Sequence, residues 1–171
     1  MRHHSKEVLS IGHSNLSYRT FVAHLRKWQV QTVVDVRSIP YSKHVPHFNY
    51  EVLKRKLCKS NLAYEYLGNQ LGSHNVRVRQ AADGVADYRR QIAADAFDDG
   101  IDRLLELAGE GCVAVMCTES DPYRCHRHTV LAVELAERGL STQHILKSGT
   151  LRNAFEAPIR TKQPSRWVQR D

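Results

Sequence analysis

Between Cys117 and Arg127 the chain places two thiols, a carboxylate, an imidazole and a guanidinium: Cys117, Glu119, Cys125, His126 and Arg127. A thiol becomes a good nucleophile when its pKa is lowered, and a helix start or a neighbouring cation lowers it. Asp121-Pro122 reads as such a start, with Asp as N-cap and Pro in the first helical position. Cys125, His126 and Arg127 then fall in or just past the first turn, where backbone N–H groups and the helix dipole favour an anion. The chemistry implied is attack by Cys117 or Cys125 on a bound anion, with Glu119 or His13 carrying the proton.

Each of these residues also has a plainer reading. Cys117 closes an apolar run and could be packing, as buried cysteines often are. Glu119 could pair with Arg127 or Arg37 in an ordinary ion pair. His13 could be a solvated histidine in a polar turn. Asp35 and Arg37 could position substrate or only brace loops. Cys58, on an amphipathic helix, and Cys112, opening a strand, read as structural.

Several other chemistries lack their motifs. No C-x-x-C pair exists, so no zinc spacing is present and no residue is assigned as a metal ligand. There is no G-x-G-x-x-G and no Walker lysine loop, so no cofactor is named. A phosphatase-type cradle would need arginine six residues after Cys117, where Tyr123 stands. With 25 Lys+Arg against 18 Asp+Glu, the net charge of +7 favours anionic partners without choosing among them.

The elements that must hold these residues alternate. Apolar runs at 8–14, 30–38, 62–68, 112–117 and 141–147 read as five strands. Helical spacing follows Ser17, with Phe21, Val22, Leu25 and Trp28 on one face. It also follows Asn49, a plausible N-cap, with Val52, Leu53 and Leu57 inward. The stretch 85–111 holds one or two helices, and another runs from Pro122 to about Arg138, stopped by Gly139.

This alternation predicts a single α/β domain with a mainly parallel five-stranded sheet covered by helices on both faces, a Rossmann-like three-layer sandwich. The domain is expected over 1–150, and 151–171 reads as a basic C-terminal tail. In such sheets ligands bind beyond the carboxyl ends of the strands. Gly12-His13-Ser14, Asp35-Val36-Arg37-Ser38, Leu67-Gly68 and Cys117-Thr118-Glu119 all fall at those ends. One sheet edge would gather them, with Gly12, Ser14, Asp35, Arg37, Ser38, Asn49, His126 and Arg127 as candidate binding residues.

"IGHSNLSYRTFVAHL", "VVDVRSIPYSKHVPHFN", "YLGNQLG" and "VMCTESDPYRCHR" together resemble the bacterial and archaeal family called domain of unknown function 488. The resemblance spans about residues 8–147. It rests on Gly12-His13-Ser14, Asp35-Val36-Arg37-Ser38 with Pro40, Phe48-Asn49, and Cys117, Glu119, Pro122, Cys125, His126 and Arg127. It implies an α/β sandwich and names no reaction. Asn69 stands where members often carry a second glycine after Leu-Gly.

The expected function is an enzyme acting on an anionic, phosphorylated or nucleotide-like small molecule, with cysteine-dependent chemistry. One alternative is a nucleic-acid-associated protein, suggested by the charge, by "NVRVRQ" and by a basic tail carrying Trp167. Another is a thiol redox or metal site. No apolar run spans a membrane, and "MRHHSKEV" lacks a secretory signal, so a cytoplasmic location is expected.

Overall fold

The computed structural model describes residues 7–73 and 94–155. The "NVRVRQ" stretch, Arg77 and Arg79, the first residues of 85–111 and Trp167 lie outside the described residues.

Six strands form one sheet: β1 (Glu7–Gly12), β2 (Thr32–Asp35), β3 (Ala63–Tyr66), β4 (Val113–Cys117), β5 (Ser141–Ile145) and β6 (Leu151–Asn153). Their order is β3-β2-β4-β1-β5-β6, with β6 alone antiparallel. The sixth strand comes from the stretch expected to trail as a tail. It is three residues long and too short to show a period, yet it pairs with the β5 edge.

Helices cover both faces. Helix α1 (Tyr18–Lys27), capped by Ser17 Oγ on the Thr20 N–H at 3.1 Å, packs on one face with α2 (Tyr50–Lys59). Helix α4 (Ala94–Glu110) and α5 (Val133–Glu137) cover the other, and α3 (Gly68–Leu71) is a single turn beside α4.

The period-2 alternation of β4 sorts its side chains. Ala114 and Met116 enter the α1/α2 core, while Val113, Val115 and Cys117 enter the α4/α5 core. Cys117 therefore projects to the face from which Cys125 approaches.

The helix expected from Pro122 to Arg138 is broken. Pro122–Arg124 is one 3₁₀ turn capped by Asp121 Oδ1 on the Tyr123 N–H at 3.0 Å. Cys125 is extended, with φ −120° and ψ 146°. The chain then re-enters a helix through a π-helical segment, Arg127–Ala132, before α5. Wide turns of this kind recur at functional sites. Asn49 also departs from expectation: it stands at the N-cap position, but its Oδ1 accepts the Ser42 N–H at 2.7 Å and no first-turn N–H of α2. It ties the 39–49 loop instead of the helix.

Candidate active site

A cavity of about 1010 Å³ opens at the carboxyl ends of β1, β2 and β4. Its wall is formed by Ser14-Asn15 after β1, Arg37 to Val45 after β2, Ser73 after α3, and Cys117 to Thr129 after β4. The β1–β4 backbone ladder continues past the strand ends, with His13 N–H donating to Cys117 O and Ser14 N–H to Thr118 O, both at 2.9 Å. This extension sets Ser14 beside Thr118, and Ser14 adopts the uncommon φ of 41° as the chain turns away.

Cys117 and Cys125 sit together in the wall, both buried. Their sulfurs lie within 4.8 Å of one another. The neighbouring Cys125 thiol is the main influence lowering Cys117 to about 7; burial opposes it, while the Glu119 backbone N–H, the Arg127 charge and the Thr118 backbone N–H reinforce it. The Cys117 thiol, followed by burial, pushes Cys125 up to about 12. His126 Nδ1 lies 3.9 Å from Cys117 Sγ and 3.7 Å from Cys125 Sγ. The three donor atoms fall within 4.8 Å of one another, a grouping a soft cation could also use, and C-x₇-C-H is no spacing that would have announced it.

Arg127 lies beneath this loop, 1% exposed. Its Nη2 donates to Glu119 O at 2.5 Å and Ser120 O at 3.4 Å, and its Nη1 to Ser10 Oγ at 3.1 Å. It does not line the cavity; it draws the loop carbonyls inward and leaves a positive charge near Cys117. Gly12 is needed for this arrangement, because a Cβ there would fall on the Glu119 carbonyl. Beyond Ser10 the polar chain continues to His144 at 2.7 Å and on to His128 at 3.1 Å.

Arg37 is fixed by Asp35. Its Nε donates to Oδ1 at 2.9 Å, and its Nη2 to Oδ2 at 2.6 Å and to Phe48 O at 2.8 Å. Burial disfavours the charge, but the Asp35 hydrogen bonds and charge outweigh it and raise the Arg37 pKa. His13 accepts from Arg37 Nη1 on Nε2 at 3.2 Å and donates from Nδ1 to Ser14 O at 2.9 Å. Burial, then the Arg37 charge, lowers His13 to about 4. It is stacked on Phe48 and fully buried, behind the cavity wall.

Of the residues singled out in the sequence, Cys117, Glu119, Cys125, Ser14, Arg37, Ser38 and His126 line the cavity. Gly12, His13, Asp35, Asn49 and Arg127 stand behind it and hold the wall. Glu119 forms neither expected ion pair: its Oε1 accepts the Asp121 N–H at 3.1 Å, and its carboxylate is at the exposed rim. Cys58 is exposed, so it is not a packing residue. Sequence reasoning missed His44, Tyr123 and Arg124. The signal that could have found Arg124 is its position, seven residues after Cys117 and adjacent to Cys125, and it stands exposed at the mouth.

No described helix is long and apolar enough to cross a membrane. No curated protein and no solved structure matches the chain. A family model, the domain of unknown function DUF488, matches residues 17–133, which takes in the Asp35–Arg37 and Cys117–Arg127 segments and begins just after Gly12-His13-Ser14. That match covers well over half of the chain, and the chain belongs to this family.

Proposed function

We propose that the protein is an enzyme that binds an anionic, phosphorylated or nucleotide-like small molecule in this cavity and acts on it through the Cys117 thiolate. The observation that supports this most is a buried thiol lowered to about 7 in the wall of a cavity that also presents two guanidinium groups.

Each wall contributes a role. Arg124 at the mouth attracts the anion, and Arg37, rigidly held by Asp35, meets it deeper. The hydroxyls of Ser14, Ser42 and Ser120 supply donors around the substrate. Cys117 attacks the electrophilic centre. Glu119, on the rim with Thr118 and Ser120, is the carboxylate placed to move a proton to or from the leaving group. His13 is not given that task, since its Nε2 lone pair is taken by Arg37.

The test is turnover of a panel of phosphate esters and nucleotides by the wild type, Cys117→Ser and Glu119→Ala. Cys117→Ser is expected to lose all activity. Glu119→Ala should lose about 10²–10⁴-fold, the usual worth of a general acid or base. Full turnover by both variants on a substrate the wild type converts would remove the mechanism.

A further inference from the structure

Displacement at phosphorus by one thiolate has no use for a second thiol held against the first. Yet Cys125 Sγ lies within 4.8 Å of Cys117 Sγ, both residues line the same cavity, and His126 Nδ1 sits within 4 Å of both sulfurs. A neighbouring thiol is useful when the adduct on the first sulfur is itself a disulfide, because only then can it displace the adduct by attack on sulfur. We infer that Cys117 and Cys125 form a nucleophile and resolving pair, and that the electrophile the cavity takes is the disulfide of an anionic small molecule. The inference rests on Cys117 being the nucleophile proposed above and specifies the class of its substrate.

The steps balance. The Cys117 thiolate attacks one sulfur of the substrate disulfide; a Cys117–substrate S–S bond forms, the substrate S–S bond breaks, and the first half leaves as a thiolate. Cys125 then passes its proton to His126 Nδ1, and its sulfur attacks Cys117 Sγ. The Cys117–Cys125 bond forms, the mixed disulfide breaks, and the second half leaves, taking the proton from His126. The substrate gains two electrons and the protein dithiol loses two. A low-molecular-weight thiol, by the same exchange in reverse order, returns the pair to the reduced state.

The division of labour follows from the environments. Cys117, nearest the Arg127 charge and the Glu119 and Thr118 backbone N–H groups, is the sulfur that carries negative charge at rest. Cys125 keeps its proton until the mixed disulfide has removed the Cys117 thiolate, whose interaction, ahead of burial, raises the Cys125 pKa. Arg124, exposed at the mouth, accounts for an anionic disulfide over a neutral one.

Oxidised glutathione, an anionic disulfide, is the probe. Reduced full-length protein is mixed with it, quenched in acid, and read by intact mass and peptide mapping. Wild type is expected to end as the Cys117–Cys125 disulfide with two glutathione molecules released per chain. Cys125→Ser and Cys125→Ala should stop as a glutathione adduct on Cys117 with one released. Cys117→Ser should yield neither product. Arg124→Ala should slow the reaction with oxidised glutathione about tenfold more than the reaction with neutral hydroxyethyl disulfide, the scale of one charge-assisted contact.

A stable adduct on Cys117 in the wild type overturns the resolving role of Cys125 and leaves the nucleophile intact. No reaction with either disulfide while Cys117 alkylates readily overturns the disulfide substrate class alone. Inertness of Cys117 toward disulfide and alkylating agent together removes both this inference and the proposed function.

Discussion

The Cys117 and Arg37 side chains are both buried at the sheet edge, and each depends on its neighbours: Cys117 first on Cys125 in the same wall and then on Arg127 behind it, Arg37 on Asp35 behind it. Arg37 is 4% exposed and its charge is balanced by Asp35, which is fully buried and also accepts from Tyr64 Oη at 2.8 Å. Burial and then the Asp35 charge accordingly raise the Tyr64 pKa. Asp35→Asn would leave a guanidinium in the core with no counter-charge, and removing one partner of a buried pair costs about 3–5 kcal/mol. Urea unfolding should show a loss of that size; a change under about 0.5 kcal/mol, the scale of a surface substitution, would mean that the pair is not what holds this wall. Residue types and strand-end positions were enough to select Asp35, Arg37, Cys117 and Cys125. They could not separate wall from support. His13 and Arg127 have the chemistry of a base and an anion binder, but the His13 Nε2 lone pair is taken by Arg37 and its Nδ1–H by Ser14 O, and the Arg127 Nη groups are taken by Glu119 O and Ser10 Oγ, partners distant in sequence or on the main chain.

At the scale of elements, the five parallel strands and the two helical layers were legible because their signals are local: the valines of β2 and β4, the Ser17 cap, and the Phe21, Val22, Leu25 stripe of α1. What was not legible is what depends on a distant partner. The β6 strand exists only as an edge partner of β5. Asn49 has the composition of a helix cap, yet the Ser42 N–H competes for its oxygen and wins at 2.7 Å. The most consequential difference is the break at Cys125. Asp121-Pro122 does start a helical turn, but the Cys125 backbone goes extended, and its carbonyl then accepts from His128 N–H at 3.0 Å and Thr129 N–H at 3.1 Å to start the next segment. An unbroken helix would set Cys125 on its own cylinder, whereas the break puts its thiol against that of Cys117. The lowered thiol is thus due first to a second thiol, then to loop N–H groups and a buried arginine, more than to the helix dipole invoked from the sequence.

For the molecule as a whole, building a site over a buried positive charge has a cost at low pH. Burial and then the Arg127 and His128 charges lower His144 to about 3, and His13 stands at about 4, so both are neutral in the folded state at pH 5. In the unfolded chain both titrate near 6.5, so below that pH the unfolded state binds more protons and stability falls as pH falls. Each fully buried histidine then contributes a loss of about 2 kcal/mol between pH 6.5 and 5. The urea midpoint should drop over this interval and continue down toward pH 3–4; a midpoint constant from pH 7.5 to 5 would contradict neutral burial.

The most direct test of the account is the pH dependence of alkylation at each cysteine of the reduced protein, followed by mass spectrometry, with exposed Cys58 as the reference thiol. Cys117 should titrate with a midpoint near 7, while Cys125 stays unreactive well above that midpoint. Arg127→Met should move the Cys117 midpoint upward. A Cys117 that titrates at or above the free-thiol value of about 8.5, unmoved by loss of Arg127, would contradict the claim that this cavity is built around an activated thiolate.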